Sequence, residues 1–185
     1  MRIISGKLKK SKIISPSKLN VRPTSNRAKE MIFSTLESIL IKQNNSMNDS
    51  NVLDGFCGTG SLGIETISRG AKLVTFIDNS YKSLKIAKEN CKKLNILSQC
   101  SFYKYDLTKK IEMKKKFDIF FIDAPYIKKI SNCVILNLIY CKLLNEGSIG
   151  IVETFKTEEI YKNDNVDLIK IKMIGNSKFS FVRIS

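Results

Sequence analysis

Apolar positions along this chain follow two alternating periods. From residue 51 onward, short apolar runs suited to strands lie at Val52-Leu53, Leu73 to Ile77, Ser101 to Tyr105, Phe117 to Ile122 and Ser148 to Val152. Between them are stretches with helical spacing, one starting at Ser61, one from Ser80 to Leu94 and one from Cys133 to Leu144. Strands alternating with helices predict an α/β fold, a mostly parallel doubly wound sheet that binds ligands at the carboxyl ends of its strands. The last two runs, Val166 to Ile174 and Phe179 to Ile184, are joined through Gly175-Asn176-Ser177 and predict a closing antiparallel hairpin.

Ahead of this pattern the chain reads differently. Arg2 to Leu8 and Lys12 to Ile14 predict two short strands around a turn. Ser25 offers a capping hydroxyl after Arg22-Pro23-Thr24, and Ala28, Met31, Ile32, Thr35, Leu36 and Ile39 recur at helical spacing. A helix is therefore expected from about Ser25 to Leu40. Residues 43–50 are polar and aperiodic, which predicts a linker between a basic extension over residues 1–42 and the main domain over residues 51–185.

Composition narrows the function. At 185 residues and 43% hydrophobic content the chain is of single-domain size, and a monomer is the expectation. A formal charge of +15 points to a polyanion or an anionic membrane surface as partner. The excess of lysine over arginine, with abundant Asn and Ile, is also what an AT-rich coding sequence gives on any solvated face. Five cysteines show no C-x-x-C pair and there is no histidine, so no zinc site or other metal is expected. Scattered free thiols suit a reducing compartment such as the cytoplasm. No apolar run approaches the roughly 20 residues of a membrane helix. The first 29 residues carry nine cations and no acid, as a transit peptide does. Their strand-like apolar spacing favours an integral basic hairpin instead.

Two loops carry the candidate chemistry. Gly58-Thr59-Gly60-Ser61-Leu62-Gly63 satisfies G-x-G-x-x-G, and Asp78 follows 20 residues after Gly58, as in a dinucleotide site. Yet Asp54 closes the preceding strand and three residues intervene before Gly58, and D-x-x-x-G-x-G favours S-adenosylmethionine. A pyrophosphate wants bare amides, whereas the methionine end of that cofactor carries an ammonium that gains from a carboxylate. Asp54, Phe56, Gly58, Thr59 and Gly60 are the expected cofactor cradle. Asp54 would face the ammonium, Asp78 the ribose hydroxyls and Asp106 the adenine amine.

The second loop, Asp123-Ala124-Pro125-Tyr126, ends the run from Phe117 to Ile122. Pro125 biases Ala124 toward extended backbone, turning its carbonyl toward a pocket. An exocyclic amine then donates to the Asp123 carboxylate and the Ala124 carbonyl, while Tyr126 stacks on the base. A sulfonium is already an excellent leaving group, so positioning and charge stabilisation suffice without histidine.

With these pieces in place, the chain resembles the bacterial 16S ribosomal RNA guanine-N2 methyltransferases of the RsmD type over nearly its whole length. The matching residues are Met1 to Gly6, Arg22-Pro23-Thr24 with Arg27, Glu30 and Phe33, Leu53-Asp54 with Gly58-Thr59-Gly60, Leu62 to Glu65, Ser68-Arg69-Gly70-Ala71 and Asp123 to Tyr126. The resemblance implies a Rossmann-like class I methyltransferase, S-adenosylmethionine as donor, and one guanine of 16S RNA as acceptor, presented in a small-subunit particle. Ala124 departs from the family's usual proline, Asp78 from glutamate and Lys29 from arginine. Arg2, Lys7, Lys9, Lys10, Lys12, Arg22 and Arg27 are expected to contact RNA phosphates. Other readings of the same residues are an adenine-N6 or DNA-directed amino methyltransferase, a catalytically weakened RNA-binding assembly factor, and an NAD-dependent oxidoreductase. The last leaves the second loop unexplained.

Overall fold

The computed structural model describes residues 1–15, 25–125 and 129–185. Seven strands form one sheet: β1 (Asn51–Gly55), β2 (Leu73–Asp78), β3 (Cys100–Lys104), β4 (Phe117–Asp123), β5 (Leu144–Phe155), β6 (Val166–Ile174) and β7 (Ser177–Ile184). Their spatial order is β3-β2-β1-β4-β5-β7-β6, with β1 to β5 parallel and β7 antiparallel to both neighbours. The expected doubly wound sheet with an antiparallel C-terminal hairpin is therefore the observed one. The hairpin turns on Gly175, whose φ of 59° suits a two-residue connection.

Four helices cover the sheet: α1 (Asn26–Lys42), α2 (Ser61–Ser68), α3 (Tyr81–Lys93) and α4 (Ser131–Tyr140). Alternate residues along each strand feed two cores, because side chains point to opposite faces with period two. On one face Val52, Phe76, Phe121 and Ile151 pack with Phe33 and Leu36 of α1, Ile64 and Ile67 of α2, and Leu84 and Ala87 of α3. On the other, Leu53, Ile77, Phe120 and Val152 meet Val134, Ile135 and Leu138 of α4. Among the described residues no helix is long and apolar enough to cross a membrane.

Three local expectations differ from what is found. The apolar stretch expected as a helix over Cys133 to Leu144 is helical only over Ser131–Tyr140, and β5 begins at Leu144, well before Ser148. A continuous apolar run does not mark where helix becomes strand; tertiary pairing does, since the Phe117 N–H donates to the Leu143 carbonyl and Phe117 registers with Leu144. The amino-terminal pair of strands reduces to a single antiparallel bridge, Arg2 with Lys12, around a turn in which Lys10 takes a φ of 71°. Residues 43–50 are anchored turns: Met47 lies in the core and the Ser50 carbonyl accepts from Lys72.

The basic prefix is sewn to α2. Glu65, completely buried, accepts from the backbone N–H groups of Ile4 at 2.9 Å and Ser5 at 3.0 Å. It also pairs with buried Lys29 at 3.7 Å and with Arg69 at 3.0 Å. Arg69 continues to Glu37 at 2.7 Å and lies over the Phe33 ring at 4.6 Å. Ser68 Oγ accepts from Leu8 N–H and donates to the Ser5 carbonyl. A buried carboxylate shared among two cations and two amides is satisfied on every side, the condition under which burying charge is tolerable.

Candidate active site

β1 delivers Asp54 and Gly55 to the carboxyl edge of the sheet, where the chain must turn sharply into α2. A Cβ on Gly55 would sit 2.9 Å from the Leu107 side chain and 3.0 Å from the Phe121 carbonyl, so a larger residue there would push on both. The turn is completed by three residues in the left-handed region: Phe56 at φ 61°, Gly58 at 53° and Gly60 at 77°. Phe56 is the costly one, since a bulky side chain rarely adopts that conformation except where surrounding structure enforces it.

The two predicted acids enforce it, in a way the sequence did not show. Asp54 is 2% exposed, and its Oδ2 accepts from the Gly63 N–H at 2.8 Å. Asp78, ending β2, accepts from the Gly58 N–H at 3.0 Å through Oδ2 and from Ser80 N–H at 2.8 Å through Oδ1. Both carboxylates thus hold the glycine loop. The Asn90 amide of α3 secures the loop's far side by donating to the Thr59 carbonyl at 2.9 Å. Asp106 lies two residues past β3, exposed, with Oδ1 capping its own turn through the Thr108 N–H and hydroxyl.

Asp123 closes β4, one strand from β1, so the structure brings it to the same edge as the glycine loop. Ala124 is buried and Pro125 exposed. Tyr126 lies outside the described residues, as does Arg22. Glu153 of β5 registers directly with Asp123 and was missed from the sequence. Its signal was present, because it is the first acid after the apolar run Ile149 to Val152, as Asp54, Asp78 and Asp123 are after theirs.

The electrostatics follow from this crowding. Burial pushes the Asp54 carboxyl up to about 7, with Asp78 adding to the rise and the Gly63 hydrogen bond opposing it. Asp123 is raised well above the ordinary carboxylate range, first by burial, then by Glu153 and Asp54. A chain of net charge +15 has gathered acids at one edge of its sheet. Such a site favours a cationic ligand, which relieves the mutual repulsion of buried carboxylates.

S-adenosylmethionine, with its ammonium and sulfonium, fits these residues. A Cβ placed on Gly58 would meet nothing closer than the Phe56 carbonyl at 4.0 Å, so the loop is open for close approach on that side. At the first residue of α2, the Ser61 hydroxyl is buried without a hydrogen-bond partner among the described residues. On the α3 side the same loop is closed, since a Cβ on Gly60 would press on Ala87 and Phe76 at 3.2 Å.

The expected phosphate contacts divide into two levels. Arg2, Lys12 and Arg27 are exposed beside the first half of α1. Lys7, Lys9 and Lys10 occupy the turn at the far end of α2, where Lys7 N–H meets the Ser68 carbonyl and its Nζ reaches Gln99, just before β3. Since α2 runs against the strands, this turn lies toward the sheet edge opposite Asp123.

A parallel sheet closed by an antiparallel hairpin, with a glycine loop after β1 and acids ending β1, β2 and β4, defines a Rossmann-like class I methyltransferase fold. The solved structure of yhhF, a candidate methyltransferase from Escherichia coli, shares that fold at a TM-score of 0.83 and 21% identity, covering 100% of this chain and 97% of the other. The family model described as Conserved hypothetical protein 95 matches residues 1–183. Ribosomal RNA small subunit methyltransferase D of Haemophilus influenzae is 30% identical over 95% of this chain and 89% of its own length. An uncharacterized methylase of Rickettsia prowazekii is 32% identical over 100% and 98%. The chain belongs to this family, the ribosomal RNA small subunit methyltransferase D type.

Proposed function

We propose that the chain transfers a methyl group from S-adenosylmethionine to the exocyclic N2 amine of one guanine in 16S ribosomal RNA, within a small-subunit particle. Methylation of ribosomal RNA is the activity of the family's named members, and the finer reading rests on one observation. Asp123-Ala124-Pro125 ends β4 at the sheet edge that carries the glycine loop. A carboxylate and a chain carbonyl are thereby available side by side for the two N–H bonds of an amine.

When bound, the cofactor supplies an electrophilic methyl group on a positively charged sulfur. Asp54 and Asp78 hold the loop that cradles it, and their charge favours a cation there. Asp123 accepts one N–H of the incoming base and the Ala124 carbonyl accepts the other, fixing the direction of the nitrogen lone pair. Tyr126 is assigned to stacking on the base by the sequence pattern. Arg2, Lys7, Lys9, Lys10, Lys12, Arg22 and Arg27 follow the RNA backbone, supplying affinity without sequence reading. The spread of the described ones over two levels of the molecule suits an extended RNA track better than a point contact.

The test incubates the purified protein with radiolabelled S-adenosylmethionine and small ribosomal particles lacking the modification, followed by nucleoside analysis. Label in N2-methylguanosine is the expected result. Label in N6-methyladenosine would move the assignment to an adenine enzyme, and cofactor binding without label in any substrate would leave an RNA-binding assembly role.

A further inference from the structure

We infer that a pocket walled by Lys114, Lys115 and Lys116, at the edge of the sheet where the parallel strands begin, holds phosphates of the substrate RNA well away from the methylated base. This rests on the RNA-methylation reading above. The pocket is a concavity of about 270 Å³ lined by the three lysines with Asn51, Leu73 and Thr75. Its floor is sheet. Asn51 and Leu73 open β1 and β2 and register with each other. Asn51 and Thr75 alternate with Val52 and Phe76, so they project on the face of Leu53 and Ile77, away from α1, α2 and α3. The crossover from β3 to β4 contains no helix, and the last residues of this irregular segment form the pocket wall.

A lysine on an ordinary solvated face has other company. Lys110 shows that case, with its ammonium 2.9 Å from Glu112 and both side chains exposed. Lys115 instead is half-buried, its Nζ held 2.9 Å from Ser101 Oγ and 5.4 Å from the centre of the Tyr103 ring. Among the described residues Lys114 and Lys116 make no ion pair and no acid lines the pocket. Asp118, the next acid along the chain, accepts from the Asn51 N–H at 2.8 Å and the Asn145 amide at 2.6 Å. Three like charges around one hollow repel each other, and a polyanion relieves that repulsion. A side chain already held by Ser101 and Tyr103 also loses little freedom on binding.

The occupant is a run of phosphates, because the basic surface continues beyond the pocket. Exposed Lys72 directly precedes Leu73, and Gln99, which donates to the Ala71 and Lys72 carbonyls, accepts from Lys7 Nζ at 3.0 Å. The pocket is thereby joined to the turn of Lys7, Lys9 and Lys10. From here to the glycine loop is the length of β2, Leu73 to Asp78, roughly 17 Å at about 3.3 Å per residue. One nucleotide cannot span that distance; a strand of several can. The free edge of the sheet, β3, offers the way round. Tyr103 and Tyr105 are half-buried and stacked at its end, ring centres 6.1 Å apart, an aromatic surface of the kind that single-stranded RNA uses beside a basic groove. Contacts of this sort set position and affinity and read no sequence.

The experiment measures binding of the full chain to small ribosomal particles across a salt series, for wild type and for a variant carrying Lys114→Gln, Lys115→Gln and Lys116→Gln together. Binding is expected to weaken about tenfold or more, and the slope of log K against log salt to fall by about 2 to 3. The corresponding arginine variant should keep the wild-type slope, and S-adenosylmethionine affinity without RNA is the control for an intact fold. A slope equal to that of wild type in the glutamine variant overturns the inference and leaves these lysines as a solvated face. So does a variant that keeps its particle affinity but loses binding to phosphatidylglycerol vesicles, which would make the surface a membrane contact. Binding is read without turnover, so the two readings fail separately: a reduced slope in a protein that labels no nucleoside sinks the proposed methylation and leaves the phosphate site standing. Should the glutamine variant fail to fold, acetylation of the wild type decides. Particles should protect Lys114 and Lys116 from acetic anhydride while exposed Lys162, beside β6 at the far edge of the sheet, stays reactive. Equal labelling of Lys114 and Lys116 with and without particles overturns the site.

Discussion

Asn90 binds the Thr59 carbonyl of the glycine loop at 2.9 Å while the same side chain holds the backbone of Ile14, accepting from its N–H at 2.6 Å and donating to its carbonyl at 3.1 Å. One buried amide on α3 therefore ties the basic prefix to the glycine loop, with its oxygen and nitrogen both used.

Asn90→Ala leaves the Ile14 N–H and the Thr59 and Ile14 carbonyls without their partner. A loss of about 3 kcal/mol in urea unfolding is expected, the scale of buried backbone groups left unpaired. Calorimetric titration should show several-fold weaker S-adenosylmethionine binding. Unchanged cofactor affinity alongside the stability loss would show that Asn90 supports the fold alone.

Asp54 makes stability depend on pH with a definite sign. Its carboxyl is raised from 3.8 to about 7 in the folded chain, so between these values the folded state holds a proton that the unfolded state has lost. Stability accordingly falls as pH rises through that window, by up to about 4 kcal/mol from this group. Asp54→Asn, which retains an oxygen for the Gly63 N–H, should flatten the pH dependence of urea midpoints without abolishing it, because Asp123 acts in the same direction. A cationic ligand reverses the balance. S-adenosylmethionine should bind more tightly at pH 8 than at pH 6, with proton release measurable by calorimetry in buffers of different ionisation enthalpy.

Asp123→Ala separates binding from chemistry. Turnover should drop on the order of 10²–10⁴-fold, the range for a positioned catalytic group. S-adenosylmethionine affinity should be unchanged or improved, since Asp123 bonds no part of the glycine loop and its repulsion of Asp54 is removed. Parallel losses of affinity and turnover would place Asp123 in the cofactor site.

The turn bearing Lys7, Lys9 and Lys10 tests how far the RNA extends. Replacing all three by glutamine should weaken binding to ribosomal particles and reduce the slope of log K against log salt by about 2 to 3. Cofactor binding in the absence of RNA serves as the control and should not change. An unchanged slope would confine RNA to the edge near Arg2, Lys12 and Arg27.

Much of the site was legible in the chain because a strand in a parallel sheet announces its carboxyl end by where its apolar run stops. That local rule located Asp54, Asp78 and Asp123, the glycine loop between the first two, and the alternation that makes the sheet doubly wound. It also held Glu153, but nothing local says which strands lie side by side. The pairing of β4 with β5 is a matter of sheet order, and only that order sets two carboxylates together. Asn90 carried no signal at all, since a lone amide on a helix acquires meaning from what packs against it. Glu65, Ser68 and Arg69 were recognisable as family marks, yet their task, fastening the prefix through buried charge and backbone amides, appears only when α2 and residues 2–8 meet. The end of α4 was undecided for a related reason: an apolar run satisfies helix and strand alike, and hydrogen bonding to β4 settles where one yields to the other. Local pattern marks which residues can end a strand, turn a loop or carry charge; the packing of distant segments decides which of those groups come together, because strand order and helix docking depend on contacts far apart in the chain.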